Sequence, residues 1–282
     1  MSVKRLFLFA GYDAHGVIDP SLVYYVKALS ALGDVVLCMD SDCSPAELQK
    51  LSKYVLHADG TRHGEYDFGS YKRAYIWAYE NLNLSDYDFV YMANDSVYGP
   101  LYPLQPALED LESRNMDAFG MVCNPHRNHP HIQSWFIGMR PSVFNTKWFD
   151  AFIRRVRKLE SKGLITREYE HGFTKAVAEH NLLWGCLLTV RNRGVYNQVR
   201  RLYRRGLPFI KKVAFIRHNG RLGRQILYVL NHINPDARRA IIAGATHTWG
   251  EEYITSLLTN NPFKIMVRSL TTAIEKIRNK RK

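Results

Sequence analysis

An acidic side chain follows directly after an apolar segment at Asn94-Asp95-Ser96. Residues 89–93 are apolar and predict a buried strand, and a glycine-proline pair soon afterwards predicts a turn. No helix begins at once for Asp95 to cap. A carboxylate held at this point by a rigid strand can bind a divalent cation or accept hydrogen bonds from a ribose or sugar hydroxyl. Asp95 is therefore predicted to bind a metal ion or a ligand hydroxyl.

A second carboxylate, Glu170, lies in the segment REYEHGFTKAV (residues 167–177). The pattern predicts a helix that begins near Glu170, where the helix dipole keeps a carboxylate ionised. An ionised carboxylate can take the proton of an attacking hydroxyl group, so Glu170 is a candidate general base. A first-turn carboxylate can also do no more than complement the helix, and the residues themselves leave both roles open.

The segment EYDFGSYK (residues 65–72) predicts a ligand-binding turn at the start of a helix. Gly69 would let the backbone approach a nucleotide, and Asp67 could cap the helix or bind a base or ribose. Lys72 and Arg73 would point positive charge toward phosphate. An ordinary helix start explains the same pattern. The candidate ligand-binding residues of this turn are Tyr66, Asp67, Gly69, Ser70 and Lys72.

Histidines cluster in NPHRNHPHIQ (residues 124–133), which contains His126, His129 and His131. A metal site is disfavoured there, because two prolines break regular spacing and the run contains no carboxylate. A substrate-lining loop and a solvated loop stay open. The residues that follow fit a sugar better, since an indole face packs against sugar C–H groups and an amide pairs with hydroxyls. The candidate sugar-binding residues are His131, Gln133, Ser134 and Trp135.

Alternating strand and helix patterns must position these side chains. Strands are predicted at residues 5–10, 35–40, 54–59 and 88–95. A helical pattern follows each of them, which predicts an α/β fold with a mostly parallel sheet flanked by helices. Ligands of such sheets bind beyond the carboxyl ends of the strands. The aspartates at or just after those ends are Asp13, Asp40, Asp59, Asp67 and Asp95. For Asp40 and Asp59, a simple turn or cap role is favoured.

Charge divides the chain into two unlike halves. Residues 1–150 hold 12 Lys+Arg and 18 Asp+Glu, a net charge of −6, whereas residues 151–282 hold 27 and 8, a net charge of +19. The basic half is expected to face something anionic, such as nucleic acid, phospholipid head groups or a phosphorylated substrate. We predict a catalytic domain over residues 1–190 and a basic, mostly helical region over residues 191–282.

Two basic segments predict amphipathic helices, at residues 191–212 and 263–282. In the first segment Val195, Val199, Leu202 and Tyr203 share helical spacing, with arginines on the other faces. Such helices lie on an anionic membrane surface, or else they turn the apolar side to a core and leave the basic face in solvent. The sequence leaves both arrangements open.

Other features limit the class of protein. No apolar run reaches the roughly 18 residues of a membrane-spanning helix, and the first residues lack a signal-peptide pattern, so we expect a soluble, unexported protein. The cysteines form no C-x-x-C pair, so we expect reduced, mostly buried thiols. A nucleic-acid-binding protein also fits a pI near 9.6. However, zinc-finger, RNP and basic-heptad patterns are absent from the sequence, so no nucleic-acid partner is expected.

Five sequence blocks occur in an order and spacing that resembles the rhamnan synthesis F family, glycosyltransferases of bacterial surface-polysaccharide assembly. The resemblance spans about residues 5–250. It implies a GT-A-like nucleotide-diphosphosugar transferase fold, in which a short acidic motif holds the diphosphate, usually through Mg²⁺ or Mn²⁺. Here that motif is Asn94-Asp95-Ser96 in place of Asp-x-Asp. The blocks are EYDFGSYKRAY (65–75), ANDSVYGPL (93–101), HIQSWFIGMRPSVF (131–144), YEHGFTKAV (169–177) and GLPFIKK (206–212).

The resemblance also implies site roles. Asp95 would hold the cation, and Glu170 would be the base of an inverting transfer. Transfer builds negative charge on the departing phosphate, which the cation or basic side chains would stabilise. Besides the turn residues, the implied donor ligands are Asp13, Asn94 and Ser96. Besides residues 131–135, the implied acceptor ligands are Lys211, Lys212 and His247.

The implied substrates are a nucleoside-diphosphate sugar and a lipid-linked glycan. Because of the family name, dTDP-L-rhamnose is the leading donor, and a related deoxyhexose is the next choice. The implied location is cytoplasmic, peripheral on the inner face of the cytoplasmic membrane. Asn94 also keeps open a non-catalytic relative that only binds a sugar nucleotide or a glycan.

Overall fold

The chain forms two compact units in a computed structural model that describes residues 3–216, 220–263 and 265–267. The first unit comprises the chain up to Ile18 together with Leu22–Ser96 and Pro103–Asn192. The second unit comprises Asp19–Ser21, Val97–Tyr102 and the chain from Arg193 onward.

An eight-stranded sheet forms the centre of the first unit. The strands of the described chain are β1 (Arg5–Gly11), β2 (Asp34–Met39), β3 (His57–Gly60), β4 (Phe89–Asn94), β5 (Val97–Tyr98), β6 (Ala118–Asn124), β7 (His131–Ile132), β8 (Phe136–Met139), β9 (Trp184–Thr189) and β10 (Ile210–Lys211). In the sheet the order is β3-β2-β1-β4-β8-β6-β7, and β9 pairs with β6. β5 and β10 form a separate antiparallel pair in the second unit.

Helices connect most of these strands. The described helices are α1 (Pro20–Ser30), α2 (Pro45–Gln49), α3 (Tyr66–Asn81), α4 (Gln105–Ser113), α5 (Pro141–Phe144), α6 (Lys147–Arg154), α7 (Lys162–Ile165), α8 (Gly172–Glu179), α9 (Gly194–Asn197), α10 (Val199–Arg204), α11 (Val213–Ile216), α12 (Gly220–Leu230), α13 (Pro235–Trp249) and α14 (Glu251–Leu257). A 3₁₀ turn spans Leu84–Asp86, and a π-helical turn, Thr166–His171, joins α7 to α8. Ser44 caps α2 by accepting the N–H of Glu47.

The core of the first unit explains why its central strands read as continuous apolar runs. All seven residues of β1 and all six of β4 are buried. Since helices cover a parallel sheet on both faces, alternate polar residues have no solvent to face. Each large apolar side chain buried in this way contributes about 1.5–3 kcal/mol. Sequence and packing therefore agree along the strands that end at the site.

The predicted fold class, α/β with a mostly parallel sheet, is confirmed. The β1–β2, β1–β4, β2–β3 and β6–β9 pairs are parallel, whereas β8 runs antiparallel to both β4 and β6. The link between β6 and β7 is too short for a crossover, and both β7 and β8 run antiparallel to β6. The third strand begins later than predicted, at His57.

The second unit is mostly helical, with its own core. Tyr98, Phe215 and Trp249 pack together there, with ring centroids 5.0–6.0 Å apart. Leu101 donates its backbone N–H to the carbonyl of Pro208 at 2.8 Å, next to the β5–β10 pair. Among the described residues, no helix combines the length and apolar character needed to cross a membrane.

The basic segment 191–212 turns its apolar side inward. Val195, Val199 and Leu202 are buried, so this stretch does not offer an apolar face to a lipid layer. The alternative arrangement, a core-facing helix with a solvated basic face, is the one found here. In the second segment, 263–282, Ile265 is buried, whereas Phe263, Met266 and Val267 are exposed. The other apolar residues of this segment lie outside the described residues.

Candidate functional site

The carboxyl end of β4 carries the Asn94-Asp95-Ser96 motif. Asn94 is 1 % exposed. Its Nδ2 donates a 2.8 Å hydrogen bond to Oδ2 of Asp67, and its Oδ1 accepts the backbone N–H of Ser96 at 3.0 Å. Asp95 is half-buried, and its backbone N–H donates to the carbonyl of Ala10 near the end of β1 at 3.1 Å. Asn94 therefore links the end of β4 to the turn that carries Asp67.

Asp40, directly after β2, organises the turn before α3. Its carboxylate accepts the backbone N–H groups of His63, Gly64 and Tyr66 at 2.7–3.2 Å. Burial alone would raise the pKa of Asp40, but these hydrogen bonds outweigh burial and lower the pKa. Tyr66 sits at a positive φ of 58° with its ring exposed. Asp40 has the turn role that the sequence favours, and it presents Tyr66 to solvent.

Lys72, predicted to face phosphate, and Gly69, predicted to approach a nucleotide, already have close neighbours within the fold. Nζ of Lys72 lies 2.6 Å from Oε2 of Glu65, so a carboxylate already compensates its charge. A side chain at position 69 would collide with Glu65 and His63, so the protein itself fills the space that a nucleotide was predicted to use. Ser70 is also buried, with Oγ 3.0 Å from Nε2 of His63. In this conformation these residues stabilise the start of α3.

Asp13 lies in the loop after β1. Its Oδ1 accepts the backbone N–H groups of His15 and Val17, at 2.8 and 3.0 Å. Its own backbone N–H donates to Oγ of Ser41 at 2.8 Å, and the Ser41 hydroxyl donates back to its carbonyl. Asp13 therefore shapes the loop at the strand ends, and contact with a donor stays a prediction.

Glu170 lies within the π-helical turn and not at a helix start, which corrects the prediction. Its Oε2 accepts the backbone N–H of Ser134 at 3.0 Å and also the Ser134 hydroxyl, and its Oε1 lies 3.4 Å from Nε2 of His131. Burial raises the pKa of Glu170, but the contacts to His131 and Ser134 outweigh burial and lower it to about 2. Such a weakly basic carboxylate is a poor general base near neutral pH.

Four histidines form a stack beside Glu170. The His131 and His171 ring centroids are 4.2 Å apart, those of His171 and His129 are 5.5 Å apart, and those of His129 and His126 are 5.9 Å apart. Nδ1 of His131 lies 2.7 Å from the carbonyl O of His129. Burial lowers the pKa of His131, but Glu170 and that carbonyl outweigh burial and raise it. The sequence showed three of these histidines and did not show that His171 joins them.

Gln133 and Trp135, both predicted to bind sugar, are hydrogen-bonded to each other. Nε1 of Trp135 donates to Oε1 of Gln133 at 2.8 Å, and both side chains are buried. Trp135 is only 3 % exposed, so its indole offers almost no face to a sugar in this conformation. Sequence pattern favoured an open tryptophan because it could not show that β7 and β8 bury the residues between them.

Tyr71 joins the separate motifs into one network, and sequence analysis missed it. It lies on α3, is fully buried, and donates its hydroxyl to the carbonyl of Ser134 at 3.0 Å. Ser134 in turn donates to Glu170. The helix that carries Asp67 is thereby connected to the Glu170 region. A buried tyrosine one helical turn after Asp67 has the pattern of a core residue, and only its hydroxyl partner reveals the connection.

One family profile, described as rhamnan synthesis protein F, matches residues 35–274 of the chain. The protein belongs to the rhamnan synthesis protein F family. Membership confirms the resemblance seen in the sequence blocks and supports a sugar transferase of polysaccharide synthesis. None of the curated proteins searched matches the chain.

Solved structures resemble this family member only weakly. A protein of Desulfovibrio desulfuricans G20, named as a nucleotide-diphospho-sugar transferase, shares 17% identity over 72% of this chain and 87% of its own, with a TM-score of 0.36. A glycosyltransferase involved in glycosylation of the PBCV-1 major capsid shares 11% identity over 74% and 92%, with a TM-score of 0.37. Residues 1–349 of Staphylococcus aureus TarS share 10% over 91% and 90%, with a TM-score of 0.37.

The cation that the family resemblance places at Asp95 does not fit the donor atoms found there. The motif supplies one carboxylate, and the amide oxygen of Asn94 is already bound by Ser96. Hard cations such as Mg²⁺ need several oxygen ligands. In the part of the chain that the structure describes, the group of three side chains able to hold a metal is His131, Glu170 and His171.

The remaining predicted residues of this family member lie in the second unit. Lys211 lies in β10, Lys212 has Nζ 5.4 Å from the Tyr98 ring centre, and His247 is exposed in the last turn of α13. Each unit is compact by itself. An acceptor role for these three residues stays a prediction.

An arginine-lined groove in the second unit was not predicted. It has a volume of about 490 Å³ and is lined by Arg200, Arg201, Arg204, Arg205 and Gln225. The guanidinium of Arg200 lies 3.9 Å from the Tyr228 ring centre, and Arg204 donates to the Tyr228 hydroxyl at 3.1 Å. Among the described residues, no carboxylate lies within ion-pair distance of these arginines. The groove is a concentrated site of uncompensated positive charge.

Proposed function

We propose that this protein is a glycosyltransferase that moves a sugar from a nucleoside-diphosphate donor to a lipid-linked glycan acceptor in surface-polysaccharide synthesis. Family membership supports the reaction class. The observation that carries the proposal is the network at the strand ends, where Asp67, Asn94, Ser134 and Glu170 are tied together through hydrogen bonds and Tyr71. Four of the recognised sequence blocks contribute residues to this network, at the edge where α/β sheets bind ligands.

The donor side of the proposal rests on Asp95. Its neighbours hold their positions through hydrogen bonds to each other, which leaves a preorganised strand end for a ribose or sugar hydroxyl. The family name makes dTDP-L-rhamnose the leading donor, with related deoxyhexoses next. Charge on the departing diphosphate would be stabilised by a cation or by basic side chains.

The proposal assigns Glu170 a positioning role in place of the predicted base. A carboxylate with a pKa of about 2 holds a proton too weakly to drive its removal from a sugar hydroxyl. Glu170 instead holds the Ser134 turn and the His131 ring. The inverting outcome, which depended on a base at Glu170, stays a prediction.

The second unit is proposed to bind an anionic membrane surface or the diphosphate of the acceptor lipid. Two like charges four residues apart destabilise a helix by about 0.2–0.5 kcal/mol. Arg200 and Arg204 have this spacing in α10. A bound phosphate would offset their repulsion. The buried apolar residues of segment 191–212 make this binding electrostatic. This supports a peripheral protein on the inner face of the cytoplasmic membrane.

A second candidate is a relative that binds sugar nucleotides without transfer. The amide of Asn94, which stands where the family motif has an acid, is engaged in structural hydrogen bonds. The low pKa of Glu170 also makes this carboxylate a weak base. Both observations favour binding over catalysis.

One experiment separates the two candidates. The purified full chain is incubated with dTDP-L-rhamnose and with UDP- and GDP-sugars, with and without Mn²⁺, and both nucleotide release and thermal stability are measured. A transferase releases nucleoside diphosphate and is stabilised by its donor. Stabilisation without release would favour the binding relative. Neither effect with any donor would reject both.

A further inference from the structure

His131, Glu170 and His171 bring their ligand atoms within 4.8 Å of one another. His131 lies in β7, whereas Glu170 and His171 are consecutive in the π-helical turn. Such wide turns are frequent at functional sites. His131 is buried, and the side chain of Glu170 keeps 20% of its surface exposed. The group is therefore buried on the His131 side and partly open to solvent on the Glu170 side.

The orientation of the His131 ring is set by a backbone carbonyl. Because the carbonyl O of His129 can only accept, Nδ1 of His131 donates to it at 2.7 Å, which leaves Nε2 directed at Glu170. Metal-ligating histidines almost always anchor the other ring nitrogen in this way.

The distance between His131 and Glu170 fits two ligands of one ion. Nε2 and Oε1 are 3.4 Å apart, longer than the usual 2.7–3.2 Å of an N–H···O hydrogen bond. Two ligands each at about 2.0–2.1 Å from a tetrahedral Zn²⁺ are separated by about 3.4 Å. The spacing is that of a shared coordination edge.

The second oxygen of Glu170 is already held in place. Oε2 accepts the Ser134 N–H at 3.0 Å and the Ser134 hydroxyl, so Oε1 is the oxygen that stays available for an ion. Hydrogen bonds to a ligating carboxylate orient it and are part of most metal sites. His171, whose ring centroid is 4.2 Å from that of His131, supplies the third ligand.

We propose that His131, Glu170 and His171 bind a transition-metal dication of the Zn²⁺ type. Two imidazoles and one carboxylate suit Zn²⁺ and its neighbours, whereas Mg²⁺ and Ca²⁺ prefer oxygen ligands. Three protein ligands leave a fourth position for water or a substrate oxygen. The cation of this protein would then lie on the Glu170 side of the site and not on Asp95.

The test is metal binding by the full chain after chelator treatment, without any sugar nucleotide. Calorimetric titration should show one Zn²⁺ per chain and much weaker Mg²⁺ binding. His171→Asn and Glu170→Gln should each weaken Zn²⁺ binding at least 100-fold, and Ser134→Ala, which removes a bond to the ligating carboxylate, about 10-fold. Bound Co²⁺ should show the visible absorption of a four-coordinate ion in the wild type and lose it in His171→Asn.

Two matched variants serve as controls. His180→Asn removes an exposed histidine on the same unit that stacks on Trp148, and it should bind Zn²⁺ like the wild type. His129→Asn keeps the backbone carbonyl and should also retain tight binding. Circular dichroism checks that each variant is folded, and His171 is only half-buried, so its variant should fold.

Three results would overturn the proposal: no Zn²⁺ binding by the wild type, unchanged binding in both His171→Asn and Glu170→Gln, or loss of binding in His129→Asn alone. The last result would place the ion on the outer histidines. Because no donor is present, the outcome is independent of the proposed transferase activity.

Discussion

The two units differ in how their charged side chains are paired. In the first unit, buried and half-buried charges are paired: Arg5 contacts Glu112 at 2.6 Å, and Lys72 contacts Glu65 at 2.6 Å. In the described part of the second unit, the groove arginines Arg200 and Arg204 contact a tyrosine and not a carboxylate. Paired groups hold a fixed geometry, whereas unpaired exposed charge attracts partners over a distance that depends on salt.

The difference is consistent with the separate roles proposed for the two units. A preorganised network of short hydrogen bonds is what recognition of one small substrate requires. A groove of solvated guanidinium groups suits phosphate on a lipid or at a membrane surface. We expect substitutions in the first unit, whose charges are paired, to have larger effects than substitutions in the groove of the second unit.

Breaking the buried pair should have the largest effect on stability. In Glu112→Ala, Arg5 is left as a buried charge without its partner, and Tyr91 loses the acceptor of its hydroxyl. Removing one partner of a buried pair costs about 3–5 kcal/mol of unfolding free energy. Urea unfolding measures the loss.

A control for that variant lies on the same helix. Glu109 of α4 is exposed and accepts one hydrogen bond, from Gln105. Glu109→Ala should change the unfolding free energy by less than about 0.5 kcal/mol. Equal effects of the two substitutions would show that the Arg5 pair is not what stabilises this region.

Acid should reveal the stabilising role of Glu170. Its pKa is lowered from 4.5 to about 2, so the ionised form stabilises the fold above pH 4.5, and this contribution disappears as pH falls toward 2. The linked free energy is about 3 kcal/mol. The pKa of His131 is raised, so its charge does not change over this interval. Urea unfolding of wild type and Glu170→Gln at several pH values should show this loss only in the wild type.

Parallel pH curves for the two proteins would contradict the lowered pKa of Glu170. The pH dependence of activity provides a second test of the role of Glu170. If Glu170 only positions its neighbours, the pH profile of activity should keep its shape in Glu170→Gln even where its height falls. Loss of one limb of the profile would return Glu170 to the role of base.

Activity should depend strongly on Asp95. Asp95→Ala removes the carboxylate at the end of β4, and transfer should fall by about 10²-fold, or about 2.7 kcal/mol, with little change in stability. The measurement is nucleotide release from the best donor. Asp86→Ala, in the exposed 3₁₀ turn, is the control and should keep normal activity. A folded Asp95→Ala protein with more than about a tenth of wild-type activity would remove Asp95 from the donor site.

Sequence patterns predicted the strands and the motif order well, because continuous apolar runs and capping signatures are local. β1, β2 and β4 lie where predicted within two residues. Side-chain partners are not local. Tyr71 reaches Ser134, and Asn94 reaches Asp67, across 63 and 27 residues of sequence.

The site roles of Trp135 and Lys72 show the same limit of residue type and stay predictions. Trp135 was expected to face a sugar and Lys72 a phosphate, because each residue type suits that ligand. Both are engaged by neighbours in the fold, Gln133 and Glu65. Residue type reports what a side chain can bind, and packing decides what it does bind.

Single substitutions in the arginine-lined groove of the second unit should have the smallest effects, and these should appear in vesicle binding. Arg205→Gln removes one groove charge, and a basic residue at an anionic surface contributes about 1 kcal/mol, which is about a fivefold change in affinity. The measurement is co-sedimentation with vesicles of phosphatidylcholine alone or with phosphatidylglycerol added. Arg239→Gln is the matched control, because Arg239 is exposed in the same unit but paired with Asp236.

Binding should also vanish near 1 M salt, where screening shortens the reach of a charge to about 3 Å. Equal losses in the two variants would mean that charge acts diffusely and not through the groove. Equal binding to both kinds of vesicle would reject an anionic surface as the partner, because only an electrostatic contact distinguishes them.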